Sequence, residues 1–152
     1  MRQTPDPEQF TLLRADAELL RDSFAAAAND PRGFAARFYA RLFELAPNAR
    51  ALFPAPLQAQ QEKFAQTLAT IVSFAEDPAP LTASLRQLGL RHVAYGTQPM
   101  HYATVGEALL STLEGSVDQG LSEPARHAWR RLYGWIVAEM ISGARAADTP
   151  QP

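Results

Sequence analysis

Three side chains in this sequence offer a neutral nitrogen to a metal or exchange a proton near neutral pH: His92, His101 and His127. No cysteine is present, which removes disulfides, thiolate-bound zinc, iron–sulfur clusters and thiolate catalysis together. Three polar residues stand where apolar ones are expected. Tyr39 lies among phenylalanines, Gln60 precedes Phe64 by one helical turn, and His92 continues the line Leu81, Leu85, Leu88. A lone core histidine is ordinarily a hydrogen-bonded packing residue. A tyrosine, a glutamine and a histidine all turned inward make an expensive set to bury unless they surround something with a polar centre.

The elements that would position them read as helices. The chain is 152 residues long, which fits one domain with a single core. It is rich in alanine and leucine and poor in β-branched residues, which favours an all-α fold. Prolines punctuate it. A first helix is expected from Pro7 to Ala27, capped by Asp6, with Phe10, Leu13, Ala17, Leu20 and Phe24 as its stripe. A second, from Pro31 to Leu45, is apolar over a wide arc through Phe34, Ala35, Phe38, Tyr39, Leu42 and Phe43, and should be central. A turn spans Pro47 to Phe53. Further helices are expected over 57–75, with Leu57, Phe64, Leu68, Ile71 and Phe74 inward, over 81–93, and from Pro99, with Tyr102, Val105, Leu109, Thr112 and Leu113 inward. Ser122 should cap the last, whose stripe is Trp129, Leu132, Tyr133, Ile136 and Met140. The domain is expected over 1–145, with 146–152 a disordered tail. His127 and the pair Arg130 and Arg131 read as a wet face, and Trp129, Tyr133 and Trp135 as packing.

Charge and targeting narrow the partners. A formal net charge of -2 lacks the basic footprint of a nucleic-acid binder. The N-terminus carries two acids and no apolar run, so no signal peptide is expected, and no stretch reaches the roughly 18 apolar residues of a spanning helix. The expectation is a soluble, cytoplasmic protein without nucleic acid or membrane partners. A flat apolar cofactor with a polar centre would account for Tyr39, Gln60 and His92 together. Haem iron held by one histidine fits best, since thiolate ligation is excluded.

With these residues in order, the chain resembles a bacterial single-domain globin of the neuroglobin-like and flavohaemoglobin-type branch. The match is carried by Phe38-Tyr39-Ala40-Arg41-Leu42-Phe43-Glu44-Leu45-Ala46-Pro47, by Leu52-Phe53, and by Gln60-Gln61-Glu62-Lys63-Phe64. It continues through Leu88-Gly89-Leu90-Arg91-His92-Val93-Ala94-Tyr95-Gly96, His101-Tyr102 to Leu110, and Ala128-Trp129 to Gly134. The fold implied is the globin fold, a 3-on-3 helical sandwich around haem.

The resemblance implies roles residue by residue. The proximal iron ligand falls on His92, with His101 in reserve, because the family's Lys/Arg-His-x-x-x-Gly block matches Arg91 to Gly96. The phenylalanine on the haem face falls on Phe53, the distal tyrosine on Tyr39, the distal polar position on Gln60 and the next pocket residue on Phe64. Lys63 falls where a cation pairs with a haem propionate. Tyr95, Tyr102 and Val105 complete the haem-binding set, with Tyr95 either near the propionates or simply closing its loop. His92 should donate its remaining N–H to a carbonyl one turn earlier. Tyr39 and Gln60 would donate charge-assisted hydrogen bonds to bound oxygen, favouring tight binding and slow release. Gln60 is a poor iron ligand, so the sixth position should be open or hold water.

The implied function is reversible binding of dioxygen, nitric oxide and carbon monoxide by haem b, of the oxygen-transport type, by a monomer or homodimer with no catalytic residue assigned. Two alternatives stay open: a nitric-oxide dioxygenase or peroxidase-like enzyme using an external reductase, and a gas sensor acting through a partner. One departure bears on the first. Flavohaemoglobins carry a proximal Tyr–Glu pair; Tyr102 is present, but the acid's position holds Ala144, and Glu139 is five residues off. No reductase domain accompanies the expected single domain.

Overall fold

Three helices start on a proline, at Pro7, Pro31 and Pro99, because a proline at the first helical position costs no hydrogen bond and presets φ. The computed structural model describes residues 7–53 and 56–147. Helix α1 runs Pro7–Ala27, α2 Pro31–Leu45, α3 Gln58–Ser73, α4 Thr82–Ala94, α5 Pro99–Ser116 and α6 Glu123–Ala147. Short 3₁₀ turns cover Pro47–Leu52 and Ala79–Leu81. No strand is found among the described residues. The expected Asp6 cap lies outside them, as do the side chains of Phe10 and Leu13. Ser122 caps α6 as expected, its Oγ accepting the Ala125 N–H at 3.2 Å.

The helices form two layers of three. Helices α1, α3 and α4 lie across α2, α5 and α6, with α4 on α6, α1 on α6, and α3 on α2. The wide apolar arc of α2 is central: Phe34, Ala35, Phe38, Tyr39 and Leu42 are all buried. Fully burying such a large apolar side chain contributes about 1.5–3 kcal/mol, so this helix anchors both layers. Trp129 and Trp135 are core residues. The Trp129 indole N–H donates to Ser23 Oγ at 2.8 Å, and that hydroxyl donates to the Leu19 carbonyl at 2.6 Å, so α6 is tied to α1 without an orphaned polar group.

Three expectations need correction. Phe74 is 40% exposed, not inward, because α3 stops at Ser73 and the chain turns before the stripe returns to the core. Arg131 is not on a wet face. Its Nε and Nη2 donate to the buried Asp16 carboxylate at 2.7 and 2.9 Å, a two-pronged bond that no periodicity within α6 announces. Helix α6 also continues through Ala146 and Ala147, where a tail was expected; residues 148–152 lie outside the described residues. His127 is exposed as expected.

The α4–α6 crossing is unusually close. A Cβ on Gly89 of α4 would stand 1.9 Å from the Met140 carbonyl oxygen, and one on Gly143 of α6 would stand 2.0 Å from the Arg86 carbonyl oxygen. Only glycine lets two backbones approach this far. The Arg86 Nε donates to Glu139 at 2.9 Å beside the crossing.

Candidate functional site

Between the layers lies an apolar cavity of about 240 Å³, lined by α2, α3, α4, α5, α6 and the first 3₁₀ turn. One wall is α4. Its line of Leu85 and Leu88, begun by Leu81 in the 3₁₀ turn before it, carries His92 into the cavity, and the helix is closed just beyond by a turn of fixed geometry. The Thr97 N–H donates to the His92 carbonyl and the Gly96 N–H to the Val93 carbonyl, both at 3.0 Å, with Gly96 at φ 85°. This is the Schellman arrangement, whose left-handed residue favours glycine. His92 Nδ1 lies 2.7 Å from the Leu88 carbonyl oxygen. A carbonyl only accepts, so this geometry assigns the ring proton to Nδ1 and leaves the Nε2 lone pair free. Burial lowers the His92 pKa; the Arg91 charge adds to that and the Leu88 carbonyl opposes it. The ring is therefore neutral at pH 7, the state a metal requires.

His101 also lines the cavity, but its ring is committed differently. It sits at the third position of α5, where its Nδ1 accepts the Gln98 N–H at 2.9 Å in a capping box. A neutral ring that accepts at Nδ1 carries its proton on Nε2 and offers no lone pair there. The two histidines are thus opposite tautomers, and only His92 presents a free ring nitrogen.

The facing wall comes from α2 and α3. Tyr39 is 3% exposed, and its hydroxyl accepts a hydrogen bond from Gln60 Nε2 at 3.2 Å. The remaining phenolic proton is available to a group inside the cavity. Burial raises the Tyr39 pKa, and the Gln60 bond offsets part of that, so the hydroxyl stays protonated and a donor. Its ring is held edge-on by Phe53 at 5.4 Å and Phe64 at 5.7 Å between centroids. Phe64 in turn stacks on Phe38 at 4.1 Å and 8°. Phe64 is therefore pinned to the distal wall.

Every expected site residue lines this one cavity: Tyr39, Phe53, Gln60, Lys63, Phe64, His92, Tyr95, Tyr102 and Val105. Lys63 and Tyr95 are both exposed where they line the cavity, at its mouth, and the Tyr95 ring meets His92 edge-on at 5.9 Å. Sequence reasoning missed Arg91, which adds a second cation at that mouth; its only signal was adjacency to His92. It also missed Met140, Ile136 and Val137, which bring α6 into the cavity. The Tyr133 hydroxyl donates to the Tyr102 carbonyl, and its ring occupies the space that a Cβ on Gly106 would need. Glu139, the acid nearest the family's proximal carboxylate position, is engaged by Arg86.

Comparison with known proteins bears on what this cavity holds. The Globin family profile matches residues 36–140. This chain is a globin. It is 31% identical over 147 residues to a neuroglobin of Chaenocephalus aceratus, covering 87% of this chain and 92% of that protein. Its fold is similar to ferric Aplysia limacina myoglobin, with TM-score 0.76, 20% identity and coverage of 85% and 96% of the two chains. An engineered carbene transferase from Rhodothermus marinus superposes with TM-score 0.71 at 25% identity, over 95% of this chain and 96% of that one. The six helices have the globin fold, and a globin binds haem with its iron and, through it, diatomic gases such as oxygen.

The residues present fit that group. A flat apolar ring system needs an apolar slot, which the cavity supplies; its iron needs one neutral imidazole nitrogen, which His92 supplies. Among the described residues no group of three or more His, Asp or Glu side chains is placed to cage a bare ion. No described helix is long and apolar enough to cross a membrane.

Proposed function

We propose that His92 is the axial ligand of haem b in this globin and that Tyr39 and Gln60 together hold the bound gas. The observation that supports this is the pair of opposed walls: a histidine with its Nδ1 proton engaged by Leu88 on one, a buried phenol oriented by Gln60 on the other. When bound, haem supplies a ferrous centre that takes dioxygen, nitric oxide or carbon monoxide and shifts electron density onto it. The chain does the rest. Leu88 orients the imidazole and makes it more basic. Gln60 fixes the direction of the Tyr39 hydroxyl, so the phenolic proton is aimed into the cavity without reorganisation. Phe53, Phe64 and Val105 exclude water and flank the ring; Tyr102 lines the proximal side. Lys63 pairs with a propionate at the mouth, where Arg91 and Tyr95 also stand.

On this reading the protein transports oxygen in the cytoplasm as a monomer or homodimer built of one domain. An external reductase keeps it ferrous. The catalytic alternative has less support, because the acid nearest the proximal carboxylate position is neutralised by Arg86. Haem titration of the purified protein tests the proposal. One haem per chain should give a Soret band that moves on adding dioxygen and again on adding carbon monoxide. A protein that gives no Soret band after reconstitution would sink it.

A further inference from the structure

We propose that Gly89 and Gly143 are positioning residues for the axial histidine: the reciprocal glycine notch between α4 and α6 sets the depth and tilt at which His92 meets the iron. The inference rests on His92 being that ligand. The two glycines are mirror images in function. Gly89 admits the Met140 carbonyl oxygen to 1.9 Å of where its Cβ would be, and Gly143 admits the Arg86 carbonyl oxygen to 2.0 Å. Both obstructing atoms are backbone, so no side-chain rotation can relieve an added methyl group. To reach an ordinary contact the helices must part by about 1.5 Å, since dense interiors pass strain on rather than absorb it.

What lies at the notch gives that displacement its consequence. Leu88, whose carbonyl holds the His92 proton, is the residue before Gly89, and His92 is one turn after it. Met140, whose backbone fills the Gly89 notch, also lines the cavity. The Arg86–Glu139 ion pair, 2.9 Å across the same two helices, locks the crossing on its flank. Moving α4 against α6 therefore moves the ligand, its hydrogen-bond acceptor and the cavity wall together.

The test uses the haem-loaded protein. The iron–histidine stretching band of the ferrous form is recorded by resonance Raman spectroscopy, and haem loss is timed by transfer to an excess of apomyoglobin. Gly89→Ala and Gly143→Ala should shift or broaden the band and release haem roughly 10–100-fold faster, the usual cost of disturbing a ligand's supporting partner. Gly134→Ala and Gly115→Ala are the controls, because an added Cβ there meets nothing within 4 Å. A lower melting temperature in Gly89→Ala, with band and haem loss equal to wild type, would reduce the notch to packing and overturn the inference. Should both notch variants fail to fold, Glu139→Gln loosens the same crossing while keeping the glycines. A shifted band in that variant supports the inference, and an unchanged one overturns it. Absence of the band from the wild type would instead remove His92 as the ligand, and the inference with it.

Discussion

Replacing Tyr39 with phenylalanine deletes one oxygen atom and leaves the ring in its cage. Phe38, Phe43, Phe53 and Phe64 all surround that ring with centroid distances of 5.1–6.0 Å, so the wall should not collapse. What is lost is the phenolic donor that Gln60 orients at 3.2 Å. A hydrogen bond to a partly charged acceptor in a buried site contributes about 1.5–3 kcal/mol, and each 1.4 kcal/mol is tenfold, so oxygen should dissociate roughly 10–150-fold faster. Carbon monoxide is polarised far less and should change much less. Stopped-flow displacement of oxygen by excess carbon monoxide measures the first rate, and displacement of carbon monoxide by nitric oxide the second. An oxygen off-rate within twofold of wild type would refute the donor role of Tyr39. An equal acceleration of both gases would also refute it, because that pattern reports a loosened pocket, not a lost hydrogen bond.

Other consequences can be measured as directly. His101→Ala should leave axial ligation unchanged and cost about 1 kcal/mol of stability through the lost α5 cap, read by chemical denaturation alongside the absorption spectrum. Asp16→Ala should cost about 1–2 kcal/mol, because it removes two charge-assisted hydrogen bonds while the partly exposed Arg131 can still turn to water; a loss under about 0.5 kcal/mol would show that pair to be idle. Glu114 is held below the usual carboxylate range, first by its hydrogen bond from Arg126 and also by the Leu121 N–H. A depressed folded-state pKa gives stability that is present above the unfolded value of 4.5 and lost as pH falls through the folded one. Glu114→Gln should therefore flatten the acid limb of the stability–pH curve below that value and leave its shape near neutrality unchanged.

Much of the fold was legible because proline marks a helix start without reference to anything distant. Helices α1 and α2 begin and end where Pro7, Pro31 and their apolar stripes place them. Bounds set by periodicity alone slipped: α3 is Gln58–Ser73 against the expected 57–75, and Phe74 consequently faces water. The site was legible to the extent that one side chain of the wrong polarity stands out on an apolar stripe. Tyr39, Gln60 and His92 did so, and all three line one cavity. The tautomers of His92 and His101 were only half legible. The first follows from a carbonyl one turn back, but the second depends on the Gln98 N–H of a loop whose conformation no stripe encodes. Least legible were contacts between elements remote in sequence. Arg131 reads as surface until α1 brings Asp16 to it, and Gly89 and Gly143 look like ordinary weak spots in two helices until those helices cross.

The claim that one histidine holds the cofactor is tested most directly by His92→Gly with and without imidazole. The account predicts that haem-loaded wild type shows an iron–histidine band in the ferrous state, that the variant loses it, and that added imidazole restores a band by filling the vacated ligand site. A variant that keeps the wild-type band without imidazole, together with its loss in His101→Ala, would contradict the account and move the iron to the other histidine.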